Sequence, residues 1–341
     1  IQPISITSQT IIVQEIPQEK GLALTSFSDR EYRDTIEISP QRRGGMVMAN
    51  LLTVEEYLLG VLPSEVPKTW PMEALKAQAI IARNQIFIRQ KYMKPHQKLY
   101  DLCDTQHCQV YRGVKAESTR TKQAVEETRG MVLYYKDRLA QSLYHSTCGG
   151  ETQDSSEVGW GHTPYLTRIL DGDPQLASPP HSPWEFLLWI KGFPQVYCKA
   201  PEYSSFSEFR WLRIISHRDM EIRLNREYHI GKLLSIIPVQ RSPSGNVNAV
   251  WVIGSRKKIT IKREHLIRRN LGRLRSTLFL IDTRKDAAGN PLEYWVYGGG
   301  WGHGIGLCQT GSATLAGKMG KTYQEILEHY YPGTHIKKLE Y

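Results

Sequence analysis

The sequence runs to 341 residues, 40% of them hydrophobic and 23% charged; these proportions exclude a disordered tail, a collagen-like fibre and a small disulfide scaffold, and leave room for one large domain or two ordinary ones. Lys and Arg number 44 against 34 Asp and Glu, a formal charge of +10, and residues 241–290 alone hold twelve basic side chains against three acidic ones. That stretch reads either as a solvated basic face or as a surface for an anionic partner. No apolar run approaches the roughly 18 to 20 residues that a membrane span needs.

Ile1 to Arg43 is polar with scattered β-branched residues, the pattern of one or two edge strands with loops. Thr53-Val54-Glu55-Glu56 is a capping box, so a helix is expected from Val54 until Pro63. Pro71 opens a second helix on which Met72, Leu75, Ala79, Ala82 and Ile86 recur at three- and four-residue spacing, through about Tyr92. Lys76, Gln78 and Arg83 sit on this buried helix, and each needs a partner or a cavity. Thr119 to Thr128 reads as a third helix, followed by a hairpin of Met131–Tyr135 and Leu139–Tyr144. Prolines crowd the stretch after Asp173, and from Trp184 to about Ile281 the text turns to short strand-like runs. Tyr323 to Tyr330 makes a last helix before Pro332-Gly333. The expected fold is α+β: an N-terminal extension (1–50), a mixed helical and β core (51–180), an inserted strand-rich basic unit (181–290) and a return to the core (291–341).

Four places can carry chemistry. Glu65, between Pro63 and Pro67, is either a carboxyl group held in a cleft by stiff backbone or a surface-loop glutamate. In Gly298 to Gly306 six of nine residues are glycine and the others include Trp301 and His303. So much glycine suits a backbone that passes close to a ligand, but the spacing is not that of a nucleotide loop. His145-Ser146-Thr147-Cys148-Gly149-Gly150 ends a strand. Neighbours on a strand face opposite ways, so His145 and Ser146 make a substrate contact more readily than a catalytic dyad. Trp160, His162 and Tyr165 follow, with planar side chains suited to stacking on sugar rings. Cys103 and Cys108 with a nearby His (His96, His107 or His145) leave three options: a zinc site, a disulfide and free thiols.

The blocks Tyr57-Leu58-Leu59-Gly60-Val61-Leu62-Pro63-Ser64-Glu65-Val66-Pro67, Glu73 to Ala79 with Ala82-Arg83, Gln109 to Gly113, His145 to Gly150, Gly300 to Gly304 with Gln309, and Ile326 to Gly333 occur in the order of the SpoIID/LytB domain, which the chain resembles from about Leu52 to Gly333. The resemblance implies a peptidoglycan lytic transglycosylase acting on the β-1,4 link between N-acetylmuramic acid and N-acetylglucosamine, with Glu65 as catalytic acid and Arg83 at a functionally important arginine position. It makes Lys76, Gln78, Arg83, Tyr111, His145, Ser146, Trp301, His303 and Gln309 candidate substrate-binding residues. No cofactor is required by that chemistry; a structural zinc on His96, Cys103 and Cys108 is implied by some relatives, with His107 and Cys148 as competing ligands. Glycan strands, a cell-wall amidase and other envelope proteins are the expected partners, and nucleic acid is not. The expected location is the cell envelope after export, with an export signal or N-terminal anchor absent from a chain that starts at Ile1. A non-catalytic glycan-binding enhancer of an amidase is the alternative.

Overall fold

The computed structural model describes residues 3–20, 24–41, 44–92 and 99–340, and combines helices with several small sheets in an α+β fold. The chain forms two compact units. One runs to Ser142 and takes back Thr322–Gln324 and Thr334–Tyr341; the other holds Leu143–Lys321 and Glu325–Gly333. The division therefore falls after Ser142, and not near residue 180 as the composition implied. Residues 291–321 stay with the second unit because Pro291–Gly299 is the central strand of one of its sheets.

In the first unit, β1 (Ile4–Lys20) and β2 (Leu24–Pro40) make a long antiparallel hairpin, and β3 (Met46–Leu51) pairs on β2. Tyr32 and Ile36 are buried while Ile4, Ile6 and Ile12 are exposed. The capping box forms as expected at the start of α1 (Val54–Glu65): Thr53 Oγ1 accepts the Glu56 N–H, and Glu56 Oε2 accepts the Thr53 N–H. Pro63 does not end this helix. It lies in the last turn, where a missing N–H removes a single bond, and Ser64 Oγ donates to the Gly60 carbonyl at 2.6 Å to tie that turn down.

Helix α2 (Met72–Tyr92) buries Leu75, Ile80 and Ile81 against α1 and α3 (Thr119–Glu127), each such side chain stabilising the fold by about 1.5–3 kcal/mol. Asn84 ties α2 to the following strand. Its amide donates to the carbonyls of Leu133 and Ala140 and accepts the Leu133 N–H. That strand, β4 (Met131–Tyr135), pairs with the short β5 (Arg138–Leu139), as a hairpin should. The second arm is shorter than expected, and the other edge of β4 is filled by the C-terminal strand His335–Lys338.

The second unit opens with β6 (Tyr144–His145) and a proline-rich connection to α4 (Pro183–Lys191). Next come α5 (Phe206–Phe209), β7 (Arg210–Ser216), α6 (His217–Tyr228), β8 (Leu233–Arg241), β9 (Val247–Gly254), β10 (Lys258–Lys262), α7 (Glu264–Asn270), β11 (Phe279–Lys285) and β12 (Pro291–Gly299). One sheet has the order β10-β9-β8 and another β11-β12-β7. Met220 and Leu224 of α6, Ile267 of α7, Val250, Val252, Phe279 and Val296 share one core between the sheets and helices. The strand-like texture expected from Trp184 onward thus hides four helices. Ser182 with Glu185 caps α4 and Ser216 caps α6, and these local hydrogen bonds decide the matter where apolar texture alone does not. The unit closes with β13 (Leu307–Cys308), parallel to β6, then α8 (Gln309–Met319); α9 (Tyr323–Tyr330) and β14 (His335–Lys338) complete the chain.

Candidate functional site

Because α1 continues past Pro63, Glu65 is its last residue and is aimed by helical geometry, not by a loop. Its carboxyl group is half-buried, and Oε1 accepts the Val110 N–H at 2.6 Å. That bond ties it to the segment carrying the two cysteines. Tyr57, two turns earlier on α1, stacks on Tyr111 with ring centroids 5.2 Å apart, and its buried hydroxyl has no hydrogen-bond partner among the described residues. Burial pushes the Tyr57 phenol up, and the nearby Cys108, Glu65 and Cys103 add to the effect. Glu65, Tyr57 and the cysteine pair are therefore one electrostatic neighbourhood. Tyr57, Tyr111 and Cys103 also line an open groove of about 730 Å³ that extends to β3.

Cys103, His107 and Cys108 converge in that neighbourhood. His107 Nδ1 lies 3.6 Å from Cys103 Sγ and 3.5 Å from Cys108 Sγ. The Cys103 thiol is pushed down to about 6: burial opposes the thiolate, but hydrogen bonds from Thr105 and Cys108 outweigh it. Three nitrogen and sulfur donors, their ligating atoms within 4.8 Å of one another and partly open to solvent, fit a zinc ion with a free coordination position. His107, one of the histidines considered for this role, joins the two cysteines; His96 lies outside the described residues.

Several expected substrate contacts are occupied elsewhere. Arg83 is fully buried, donates from Nε and Nη2 to both oxygens of Glu55, and donates further to the Met131 and Val125 carbonyls. Buried and paired in this way, Arg83 serves as a cation in the core of the first unit. Lys76, expected among the substrate-binding residues, is held between Glu73 and Glu127 at 2.9 and 2.7 Å, which neutralises its charge. Gln78 is buried within α2. Tyr111 is a buried wall, its hydroxyl donating to Asn50 Oδ1 at 2.9 Å.

In the second unit the glycine tract folds back on β6. Trp301 and Thr147 exchange backbone hydrogen bonds at 2.7 and 3.1 Å, which carries His303 to His145 with ring centroids 5.6 Å apart, edge to face. Gly302 makes the approach possible: at φ +119° it adopts a conformation that L residues avoid, and a Cβ there would lie 2.6 Å from His145 Cβ. Imidazole tautomers follow from the backbone. His145 Nδ1 faces the Ile305 carbonyl at 3.1 Å and must donate, whereas His303 Nδ1 accepts the Ile305 N–H at 3.0 Å. Burial, with His145 second, pushes His303 down to about 3, so it is neutral and carries its proton on Nε2. Trp160 stands 5.4 Å from His303, and Arg275 stacks 4.6 Å over Trp301; both indoles are exposed. These rings form a surface suited to sugar rings. Ser146 Oγ donates to Glu208 at 3.3 Å, and Gln309 is buried at the start of α8.

Part of the basic stretch is matched by its surroundings. Arg268 pairs with Glu264, Arg269 with Glu227, Lys258 stacks over Trp251 and Arg284 over Trp295. Tyr57 and His107 are the site residues that sequence reasoning undervalued, and only the cysteine spacing hinted at the latter.

Residues 42–135, which carry Glu65, Tyr57 and the cysteine pair, match the SpoIID family, described as Stage II sporulation protein. Residues 159–306 match a domain of unknown function (DUF8618). The chain is 28% identical over 352 residues to the Stage II sporulation protein D of Bacillus subtilis, covering 98% of this chain and 87% of that protein. It is 30% identical over 302 residues to the amidase enhancer of the same organism, covering 81% of this chain but only 40% of that protein. An uncharacterized protein of Brachyspira hyodysenteriae is 29% identical over 293 residues, 85% of this chain and 68% of that protein. The chain belongs to the SpoIID family, and its role is cell-wall-related.

Proposed function

We propose that this chain is an exported lytic transglycosylase that cuts the β-1,4 bond between N-acetylmuramic acid and N-acetylglucosamine in peptide-free peptidoglycan, leaving 1,6-anhydro ends. The observation that supports it most is the setting of Glu65: a half-buried carboxyl group on a helix end, fixed by the Val110 N–H and in the same neighbourhood as Tyr57 and Cys103, which line a groove. Protonated Glu65 donates to the bridging oxygen as the bond breaks and positive charge builds on the muramoyl ring. Its carboxylate then takes the proton of the muramoyl C6 hydroxyl, which closes on the anomeric carbon. Since the nucleophile belongs to the substrate, one carboxyl group suffices where a hydrolase needs a pair.

A zinc ion held by Cys103, His107 and Cys108 would neutralise the two thiolates near Glu65 and cross-brace the loop. The Val110 N–H keeps Glu65 aimed, and the Tyr57–Tyr111 stack walls the groove. In the second unit, exposed Trp160 and Trp301 stack on the sugar rings, and neutral His303 packs behind Trp160.

Glu65→Gln preserves size and the Val110 contact but removes the proton. The variant should fold normally and release anhydro-muramoyl products from purified peptide-free glycan about 10²- to 10⁴-fold more slowly, as read by mass spectrometry. Undiminished release would overturn the mechanism.

The similarity to an amidase enhancer supports a second reading, a glycan-binding partner of a cell-wall amidase. On that reading Glu65→Gln is silent in an amidase-stimulation assay, while Trp301→Ala, which removes a stacking surface, is not.

A further inference from the structure

We propose that Cys148, Asp171, Cys198 and Cys308 bind a single zinc ion in the interior of the second unit, at a site separate from the Cys103, His107 and Cys108 set. The four residues come from distant places in the sequence: the turn after β6, the bridge segment ending at Gly172, the loop after α4 and the start of α8. All four are buried, and their ligating atoms lie within 4.8 Å of one another. Cys148 Sγ is 3.5 Å from Cys198 Sγ and 3.2 Å from Asp171 Oδ2. A tetrahedral zinc ion with metal–sulfur bonds of about 2.3 Å sets sulfur–sulfur edges of about 3.8 Å, so the donors already stand close to the required spacing. The set is too tight to enclose the several irons and sulfides of an iron–sulfur cluster.

The surroundings favour a thiolate at Cys308 and orient the Asp171 carboxyl group, to which the Cys148 thiol donates. Cys308 Sγ accepts N–H bonds from Cys148 and Gly311, and Cys148 Sγ accepts one from Gly150, whereas neutral thiol sulfur is a weak acceptor. As a thiol, Cys308 would have the Ser146 carbonyl as acceptor, 4.0 Å away. The Tyr330 hydroxyl donates to Asp171 Oδ1 and leaves Oδ2 facing the sulfurs, the arrangement in which a carboxylate ligand is aligned by a supporting residue. Buried Arg210, donating to the Gly149, Phe209 and Trp189 carbonyls, supplies a cation near Cys148 and Cys198. A Cys148–Cys198 disulfide explains less. Its sulfurs would have to close from 3.5 Å to about 2.05 Å, leaving Cys308 and Asp171 converging on nothing.

Four protein ligands leave no open position, so the ion is structural. It pins the turn after His145 to the start of α8, next to the strand pair that positions the glycine tract.

The test uses the full chain carrying Cys103→Ser and Cys108→Ser, which removes the first-unit cysteine ligands, purified without chelator. Elemental analysis should find one zinc per chain, and cobalt substitution should give the visible bands of a tetrahedral thiolate complex. In that background Tyr330→Phe should weaken zinc about 10- to 100-fold in competition with a chromophoric chelator, and Asp171→Asn at least as much. Absence of metal from the folded cysteine-pair variant would overturn the proposal, whatever the other variants do. So would a non-reduced denatured mass two hydrogens light, which marks a disulfide. None of these readouts depends on glycan cleavage, so the transglycosylase reading stands or falls separately.

Discussion

Arg83 closes on both carboxylate oxygens of Glu55, Nε on Oε1 at 2.9 Å and Nη2 on Oε2 at 2.7 Å, and the Gly130 N–H also donates to Oε1. The pair clamps α2 to the start of α1 inside the first unit. Removing one partner strands a buried charge, so Arg83→Met should cost about 3–5 kcal/mol in denaturant unfolding. The double variant Arg83→Met, Glu55→Leu should recover most of that loss. If Arg83 were instead a glycan contact, the single variant would keep its stability and lose only binding.

The glycine tract yields a second expectation. Gly302→Ala must place a methyl group against His145 in an unfavourable backbone conformation. A loss of about 1–3 kcal/mol is expected, with shifted imidazole resonances for both His145 and His303 in NMR spectra.

Glu151 gives the second unit a pH dependence. Burial, opposed by Arg168, pushes its carboxyl group up to about 7, and its Oε2 has no hydrogen-bond partner among the described residues. Unfolded, the group titrates near about 4.3, so the folded state binds the proton more tightly. Its stabilising contribution is complete below that value and is lost as pH rises through about 7, up to about 3 kcal/mol in all. Glu151→Gln should therefore be more stable than the parent at about pH 8 and differ little at about pH 5, as measured by chemical denaturation.

Metal at the first-unit site is tested through its histidine. His107→Ala should lower bound zinc by one ion per chain. Because Val110, which holds Glu65, lies just past Cys108, the same change should slow glycan cleavage by about 10- to 100-fold. Elemental analysis and product release on one preparation check both.

Much of this was legible in the sequence where the signal is local. The Thr53–Glu56 capping box and the long second helix each rest on residues a few positions apart, and both form. Glu65 stood out through its flanking prolines, although Pro63 turned out to sit inside the helix. What was hidden depends on distant partners. Nothing near Arg83 announces that Glu55 neutralises it, and nothing near Met131 announces that its neighbouring strand comes from His335–Lys338. The ligands Cys148, Asp171, Cys198 and Cys308 span 160 positions, too far apart for spacing to reveal a set.

The pairing of Tyr144–His145 with Leu307–Cys308 governs when the molecule can assemble. In the first unit, β4 waits in the same way for a partner near the C-terminus. Both units therefore close only when strands far apart in the sequence meet, a high contact order that slows folding.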